Sequence, residues 1–241
     1  MKSTFPIIQS VLEGNTLGKV INLSPQDTLI FHSSGFAELL LTCEMDQIDW
    51  VALLGQNVLP QYFHLYDFQP GLIDSILHSS PNWNLLLRKR LKGIHDCEII
   101  PRSLPEQYVM IDARDITEAD FNKIPQALYQ KFYPDIKSFK EHSWAKILFN
   151  QDFEFCAICY AAAWGNATAE IDVYTESQLR GKGFAELVVN AFISELRLHG
   201  RCANWDCFLD NFGSVTLAKK CGFNLKQEYW MLSVYKIDEE V

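Results

Sequence analysis

Two cationic side chains alternate with two glycines at Arg180-Gly181-Lys182-Gly183. Glycine lacks a Cβ, so such a turn can adopt φ > 0 and aim consecutive backbone N–H groups at one anion. Arg180 and Lys182 add the charge a phosphate needs. Behind the turn, Phe184, Leu187, Val188, Ala191 and Phe192 recur at helical spacing, so a helix N-terminus would add the positive end of its dipole. The plain alternative is a corner whose glycines only let the chain turn. The spacing is not that of a Walker A loop, because no Gly-Lys-Ser/Thr follows. It is not a dinucleotide fingerprint either, because the third glycine is missing.

A strand must deliver this turn. Residues 169–175 alternate, with Ile171 and Val173 on one side and Glu170, Asp172 and Tyr174 on the other. The helix after the turn is expected from about 183 to 198, with Gly200 ending it. Its apolar residues run almost all round, so it should lie buried against a sheet. A strand at 202–208 follows. Then Asn211-x-x-Ser214-x-x-Leu217-x4-Gly222-Phe223 reads as a short helix, capped by Asn211, anchored by Leu217 and closed by Gly222. Two terminal strands are expected over 223–235.

These two motifs, in this order, resemble those of the GNAT superfamily of acyl-CoA N-acyltransferases. The pyrophosphate pattern of that superfamily, Gln/Arg-x-x-Gly-x-Gly/Ala, fits in two registers: Arg180-x-x-Gly183-x-Ala185, which we prefer, and Gln178-x-x-Gly181-x-Gly183. The resemblance covers residues 108–235. In its detailed form, from Thr175 to Ala185 behind an extra N-terminal domain, it is similar to the branch that includes the zwittermicin A resistance acetyltransferase. The fold implied is α+β, a mixed and largely antiparallel sheet flanked by helices, preceded by a smaller α/β domain.

The resemblance also implies roles. Val173, Tyr174 and Thr175 match the strand end that pairs with the pantetheine arm of acetyl-CoA. Arg180, Gly181, Lys182, Gly183, Phe184 and Ala185 match the pyrophosphate loop. Asn211 and Ser214 match polar contacts further along the arm. A neutral amine would attack the thioester directly, so a base must take its proton and a backbone N–H must hold the oxyanion. Glu170 is the first choice of base and Asp172 the second, against the alternative that both are solvated carboxylates on a polar strand face. Many relatives place a tyrosine acid just after the leucine of the second motif. Ala218 stands there in this chain, and Tyr229, Tyr235 or a water would have to substitute.

The expected activity is therefore acetyl-CoA-dependent N-acetyl transfer to the primary amine of a small molecule. Two other readings stay open: a silent acyl-CoA-binding or interaction module, and an acyl or aminoacyl transferase built of two GNAT-like halves. The chain has 241 residues, 48% of them hydrophobic, which is enough for one large domain or two small ones. Two prolines within residues 100–105 mark a division, giving an N-terminal domain at 1–104 and a catalytic domain at 105–241. The N-terminal domain would wall part of the acceptor site or support a homodimer. A net charge of −9 argues against nucleic acid as a partner. No signal peptide or membrane-spanning run is seen, so a cytoplasmic location is expected.

Seven cysteines at irregular spacing suggest no disulfide framework, and six histidines show no ligand spacing, so no metal is expected. Cys156 and Cys159, three apart on an expected strand, should face opposite sides as small core residues. Further expectations are a helix at 5–13, strands at 28–32 and 38–43, and an undecided element at 49–54. An aromatic stretch at 62–68 precedes a helix opened by Pro70-Gly71. Residues 84–91 are read as a helix whose basic end, Arg88 to Lys92, complements the dipole before Gly93. A strand at 107–111, a helix from Thr117 toward Tyr129 or Phe132, a hairpin of 144–149 with 153–162, and a turn at 164–166 complete the reading.

Overall fold

Pro6 opens α1 (Pro6–Leu12), where its missing N–H would have been unpaired in any case. The strands β1 (Gly18–Asn22), β2 (Thr28–His32) and β3 (Phe36–Leu40) follow. A 3-10 turn at Met45–Gln47 leads into α2 (Trp50–Leu54), capped by Asp49, whose side chain accepts the Ala52 N–H. Next come β4 (Tyr62–Leu65), a 3-10 turn at Pro70–Leu72, α3 (Ile73–Ser79) and the long β5 (Trp83–His95). Then β6 (Tyr108–Asp112) precedes three short helices, α4 (Glu118–Phe121), α5 (Gln126–Tyr129) and α6 (Ile136–His142). The chain continues through β7 (Lys146–Asn150), β8 (Phe155–Gly165), β9 (Thr168–Thr175), α7 (Phe184–Leu198), β10 (Cys202–Phe208), α8 (Phe212–Lys220) and β11 (Phe223–Lys236). This computed structural model describes residues 2–55, 59–80, 82–99, 102–165 and 167–237. Ile100 and Pro101 of the expected division, and Asn166 of the expected turn, lie outside the described residues.

All strands join one eleven-stranded sheet in the order β1-β2-β3-β4-β11-β5-β10-β9-β8-β7-β6. The pairings are antiparallel except β3 with β4 and β9 with β10. The fold is thus mixed α+β, with a large, mostly antiparallel sheet flanked by helices. The sheet does not break at the division expected near residue 104, because β5 is hydrogen-bonded to β10 on one side and to β11 on the other.

The strand order repeats itself. A strand, an antiparallel hairpin, a helical connection, a parallel strand, a second helix and a long strand describe β1 to β5. The same words describe β7 to β11. The final strands are exchanged: β11 pairs with β4, and β5 pairs with β10. The two long strands meet each other along their length at the centre of the sheet. Gly93 permits this, since a Cβ there would lie 2.0 Å from the Asn224 carbonyl oxygen.

One sheet face carries α7 and α8 over one half and α2 and α3 over the other. On β11, Phe223 and Leu225 pack beneath the first pair, and Leu232 and Val234 beneath the second. The opposite face is covered by α1 and α4 to α6, around Ile8, Phe121, Phe139 and Tyr160.

Five expectations are corrected. Residues 84–91 form a strand, not a helix, so the basic run lies inside the sheet. The C-terminus is one strand with a register shift between Leu225 and Gln227, not two strands. The helix from Thr117 is divided, with Pro125 as the N-cap of α5 because proline disfavours the helical conformation in the residue before it. The strand expected at 38–43 runs from Phe36 to Leu40. Cys156 and Cys159 share one core cluster beneath α7, because the β7–β8 register shifts between Leu148 and Phe149 and changes the side-chain phase.

Candidate active site

β9 and β10 pair only at Thr168 with Cys202, Ala169 with Ala203 and Glu170 with Asn204. Beyond that point β9 stays with β8 as far as Thr175, while β10 stays with β5 as far as Phe208. The two parallel strands therefore separate, and a cleft of about 920 Å³ opens between them. It runs from the Arg180–Gly183 turn, past the strand ends, to the face opposite α7. The Glu176 N–H bonds the Cys156 carbonyl oxygen at 2.9 Å. Strand alternation then turns the backbone groups of Val173 and Thr175 toward the gap. Thr175 Oγ1 is buried and has no partner among the described residues.

The turn has the backbone its composition foreshadows. Gly181 and Gly183 have φ of 80° and 86°, which a side chain would disfavour. Gly183 is the N-cap of α7, and no side chain caps that end, so its first N–H groups face the cleft. Arg180 Nε donates to the Thr175 carbonyl oxygen at 3.2 Å. Lys182 and Ala185 also line the cleft, while the buried Phe184 ring packs 4.6 Å from Tyr108 and anchors the helix. Two further cations border it: Lys220, and Arg102, which bonds Glu186 at 2.9 Å. Sequence reading missed both, because neither stands in a motif. Asn211 and Ser214 line the cleft and also hold α8. Asn211 Oδ1 accepts the Ser214 N–H, and Ser214 Oγ accepts from Trp205 Nε1.

The far side of the cleft is polar by strand alternation. Asp172 and Tyr174 on β9, Asp206 and Phe208 on β10 and Arg90 on β5 line it, together with Lys131 after α5. Arg90 Nε bonds Asp206 Oδ1 at 2.7 Å, and Tyr229 donates to Asp206 Oδ2 at 2.6 Å. Tyr229 is buried against this pair and is not a cleft wall. Its hydroxyl is pushed well above its ordinary pKa by burial and then by the Asp206 charge. Ala218 is the buried residue of α8 and packs into the core on the other face.

Glu170 and Asp172 differ in depth. Glu170 is buried behind the cleft and accepts from Asn204 Nδ2 at 2.7 Å. Burial, and then the Asp206 charge, raise its pKa. Asp172 reaches the cleft, and burial raises its pKa as well, against the pull of Tyr160 and Lys131. The Tyr160 hydroxyl contacts both Asp172 Oδ2, at 2.8 Å, and the Leu128 carbonyl oxygen. A hydroxyl has one proton, and a carbonyl oxygen can only accept. The one hydroxyl proton serves both acceptors, and its donation to Asp172 Oδ2 favours the carboxylate form against the effect of burial.

Deeper still, Lys92 lies 3.5 Å over the Phe5 ring and donates to Thr4 Oγ1 at 3.1 Å. Burial lowers its pKa, against the charges of Asp206, Glu170 and Glu38. Glu38 of β3 accepts from Ser3 Oγ, and burial pushes its pKa up to about 7. The N-terminal half therefore helps to floor this polar layer. Among the described residues, no group of three or more His, Cys, Asp or Glu is placed to hold a metal, and no helix is long and apolar enough to cross a membrane.

Comparison with known proteins bears on this geometry. Residues 86–232 match the profile of a family described as GNAT acetyltransferase. An uncharacterized N-acetyltransferase YdfB of Bacillus subtilis (strain 168) is 30% identical over 103 residues, which is 43% of this chain and 39% of that protein. The fold is shared with a GCN5-related N-acetyltransferase-like protein from Streptococcus suis 89/1591, at a TM-score of 0.66, 20% identity and coverage of 94% of this chain and 91% of that one. A tandem GNAT protein from the clavulanic acid biosynthesis pathway superposes with a TM-score of 0.57 at 10% identity, over 89% of this chain and 79% of that one.

Proposed function

This chain belongs to the GNAT acetyltransferase family, and we propose that it transfers an acetyl group from acetyl-CoA to the primary amine of a small molecule. The observation that carries the reading is the continuity of the cleft. An anion-binding turn, an unpaired strand edge and a carboxyl group follow one another along it. The diphosphate would lie on the N–H groups at Gly181 to Phe184, beside Arg180 and Lys182. The pantetheine amides would pair with Val173 and Thr175. The orphaned Thr175 hydroxyl gives the arm a further partner, so the residues present fit the cosubstrate. The narrower likeness to the zwittermicin A resistance acetyltransferase agrees with a small amine as acceptor.

The acceptor enters from the Asp172 side. Its nitrogen forms a bond to the thioester carbonyl carbon, and negative charge moves onto the carbonyl oxygen. A gap-facing N–H, that of Val173, holds this oxyanion. Collapse breaks the C–S bond, and CoA leaves as the thiolate. Asp172 takes the amine proton. Glu170, first choice from the sequence, lies one layer behind and keeps Asn204 and the splay point in place. Tyr229 orders Asp206 and Arg90, and departure of the thiolate proceeds without a tyrosine at position 218. The test is calorimetric titration with acetyl-CoA, followed by release of free CoA thiol with a panel of amines. Binding and release support the reading, whereas a folded protein that binds no acetyl-CoA refutes it.

A further inference from the structure

Charge on the acceptor side of the cleft is distributed unevenly. Arg90 is fully engaged: Nε bonds Asp206 Oδ1 and an outer nitrogen bonds the Asp206 carbonyl oxygen at 3.0 Å. Arg88 bonds both oxygens of Asp210, at 2.9 and 3.1 Å, and lies 3.5 Å over Phe208. Lys131 lines the same cleft and has no carboxylate in ion-pair contact among the described residues. Two aromatic rings hold it instead. Its Nζ lies 5.5 Å from the centre of Phe36 and 4.8 Å from that of Phe132. Phe36 is itself fixed in a stack, with Tyr66 at 5.3 Å and His64 at 5.2 Å. The ammonium group is therefore positioned by rings from both halves of the chain, with no carboxylate within ion-pair distance among the described residues.

Its neighbours do not relieve it. His32 and His64 are both held down to a pKa of about 4, first by burial, with the Lys131 charge adding to the effect at His32 and the Arg90 charge, then that of Lys131, at His64. They are neutral at working pH and supply no negative charge. Asp172 is linked to this corner through Tyr160, whose ring lies 6.3 Å from Phe132. The acceptor side thus offers one carboxyl group to take a proton and one cation with no salt bridge among the described residues.

We propose that the acceptor is an amino acid, a small molecule with a carboxylate beside its primary amine, and that Lys131 binds the carboxylate while Asp172 faces the amine. The assignment rests on the acetyl-transfer reading above. One lysine balances one carboxylate, whereas a phosphate dianion would call for a second free cation or a guanidinium fork. A diamine would place its second ammonium against Lys131.

The experiment follows CoA thiol release at saturating acetyl-CoA, with L-amino acids, their carboxamides and a four-carbon diamine. Wild type should show kcat/KM for its best amino acid at least roughly tenfold above that for the matching amide, the scale of one charge-assisted contact. Lys131→Met should bring the two rates together by lowering only the amino acid rate. Lys131→Glu should raise the diamine rate. An amide or diamine used as well as the amino acid by wild type would overturn the assignment while leaving acetyl transfer standing. So would an unchanged preference in Lys131→Met. Release with no amine at all, from protein that binds acetyl-CoA, would overturn both.

Discussion

Between β3 and β4 the chain places a 3-10 turn and the five-residue α2, whereas between β9 and β10 it places the glycine turn and the 15-residue α7. The strands on either side are arranged alike, so the contents of the two connections can be compared directly. In the first half, Trp50, Phe63 and Leu65 fill the space beneath α2 and leave about 10 Å³. In the second, the parallel strands part around about 920 Å³. The helix starts differ too. Asp49 caps α2 with its own carboxylate, while Gly183 leaves the start of α7 bare. A side-chain cap satisfies the N–H groups that an incoming phosphate would need, and a carboxylate repels it. One scaffold can therefore be a packed support or a binding cleft, depending on a few residues at one helix entrance.

Gly183→Asp gives the second half the capping chemistry of the first. It should reduce acetyl-CoA affinity by roughly 100-fold or more, about 2.7 kcal/mol, in calorimetry. Retained affinity would break the comparison. Asp172→Asn should leave that affinity unchanged and lower kcat by roughly 10²–10⁴-fold. It should also remove the acid limb of the pH–rate profile. Burial raises the Asp172 pKa, so that limb should lie above the ordinary carboxylate range, where Tyr160 and Lys131 are its polar neighbours.

The first half should respond in stability instead. Trp50→Ala should cost about 3–5 kcal/mol in denaturant unfolding. Acetyl-CoA affinity measured on the folded fraction should not change. Glu38 gives the smallest and most specific effect. Its folded pKa of about 7 lies above the ordinary 4.5, so the folded state holds the proton longer and stability falls as pH rises between those values. At pH 8 Glu38→Gln should recover up to roughly 3 kcal/mol, and at pH 4 it should recover nothing. An equal gain at both pH values would mean that burial of the charge is not the cause.

Local pattern made much of the second half legible. The alternation in residues 169–175, the glycines at 181 and 183 and the Asn211 cap each depend on near neighbours, and each stands where expected. What the sequence hid depends on distant partners. In β5, apolar Leu85 and Leu87 face the helices, but Leu86 is apolar on the other face and masks the alternation. Arg90 and Lys92 resemble a solvated helix end until Asp206 and Thr4 appear beside them. The register shifts at Phe149 and near Gln227 leave no local mark, so the shared face of Cys156 and Cys159 and the unity of β11 were out of reach. Alternation placed Glu170 and Asp172 on one face, but only the splay of β9 from β10 distinguishes the buried group from the one that reaches the cleft. Lys131, Arg102 and Lys220 stand in no motif and become visible only as walls.

The exchange of β5 and β11 also bears on synthesis. During translation β4 emerges some 160 residues before the strand that covers its edge, with Leu65 and Leu232 as partners. Until β11 arrives, the first sheet presents an open edge of the kind that pairs with other chains. Closure across so long a stretch is intrinsically slow. The nascent chain should therefore depend on holding chaperones late in its synthesis, and premature termination before residue 223 would release a molecule with two unsealed sheets rather than one finished half.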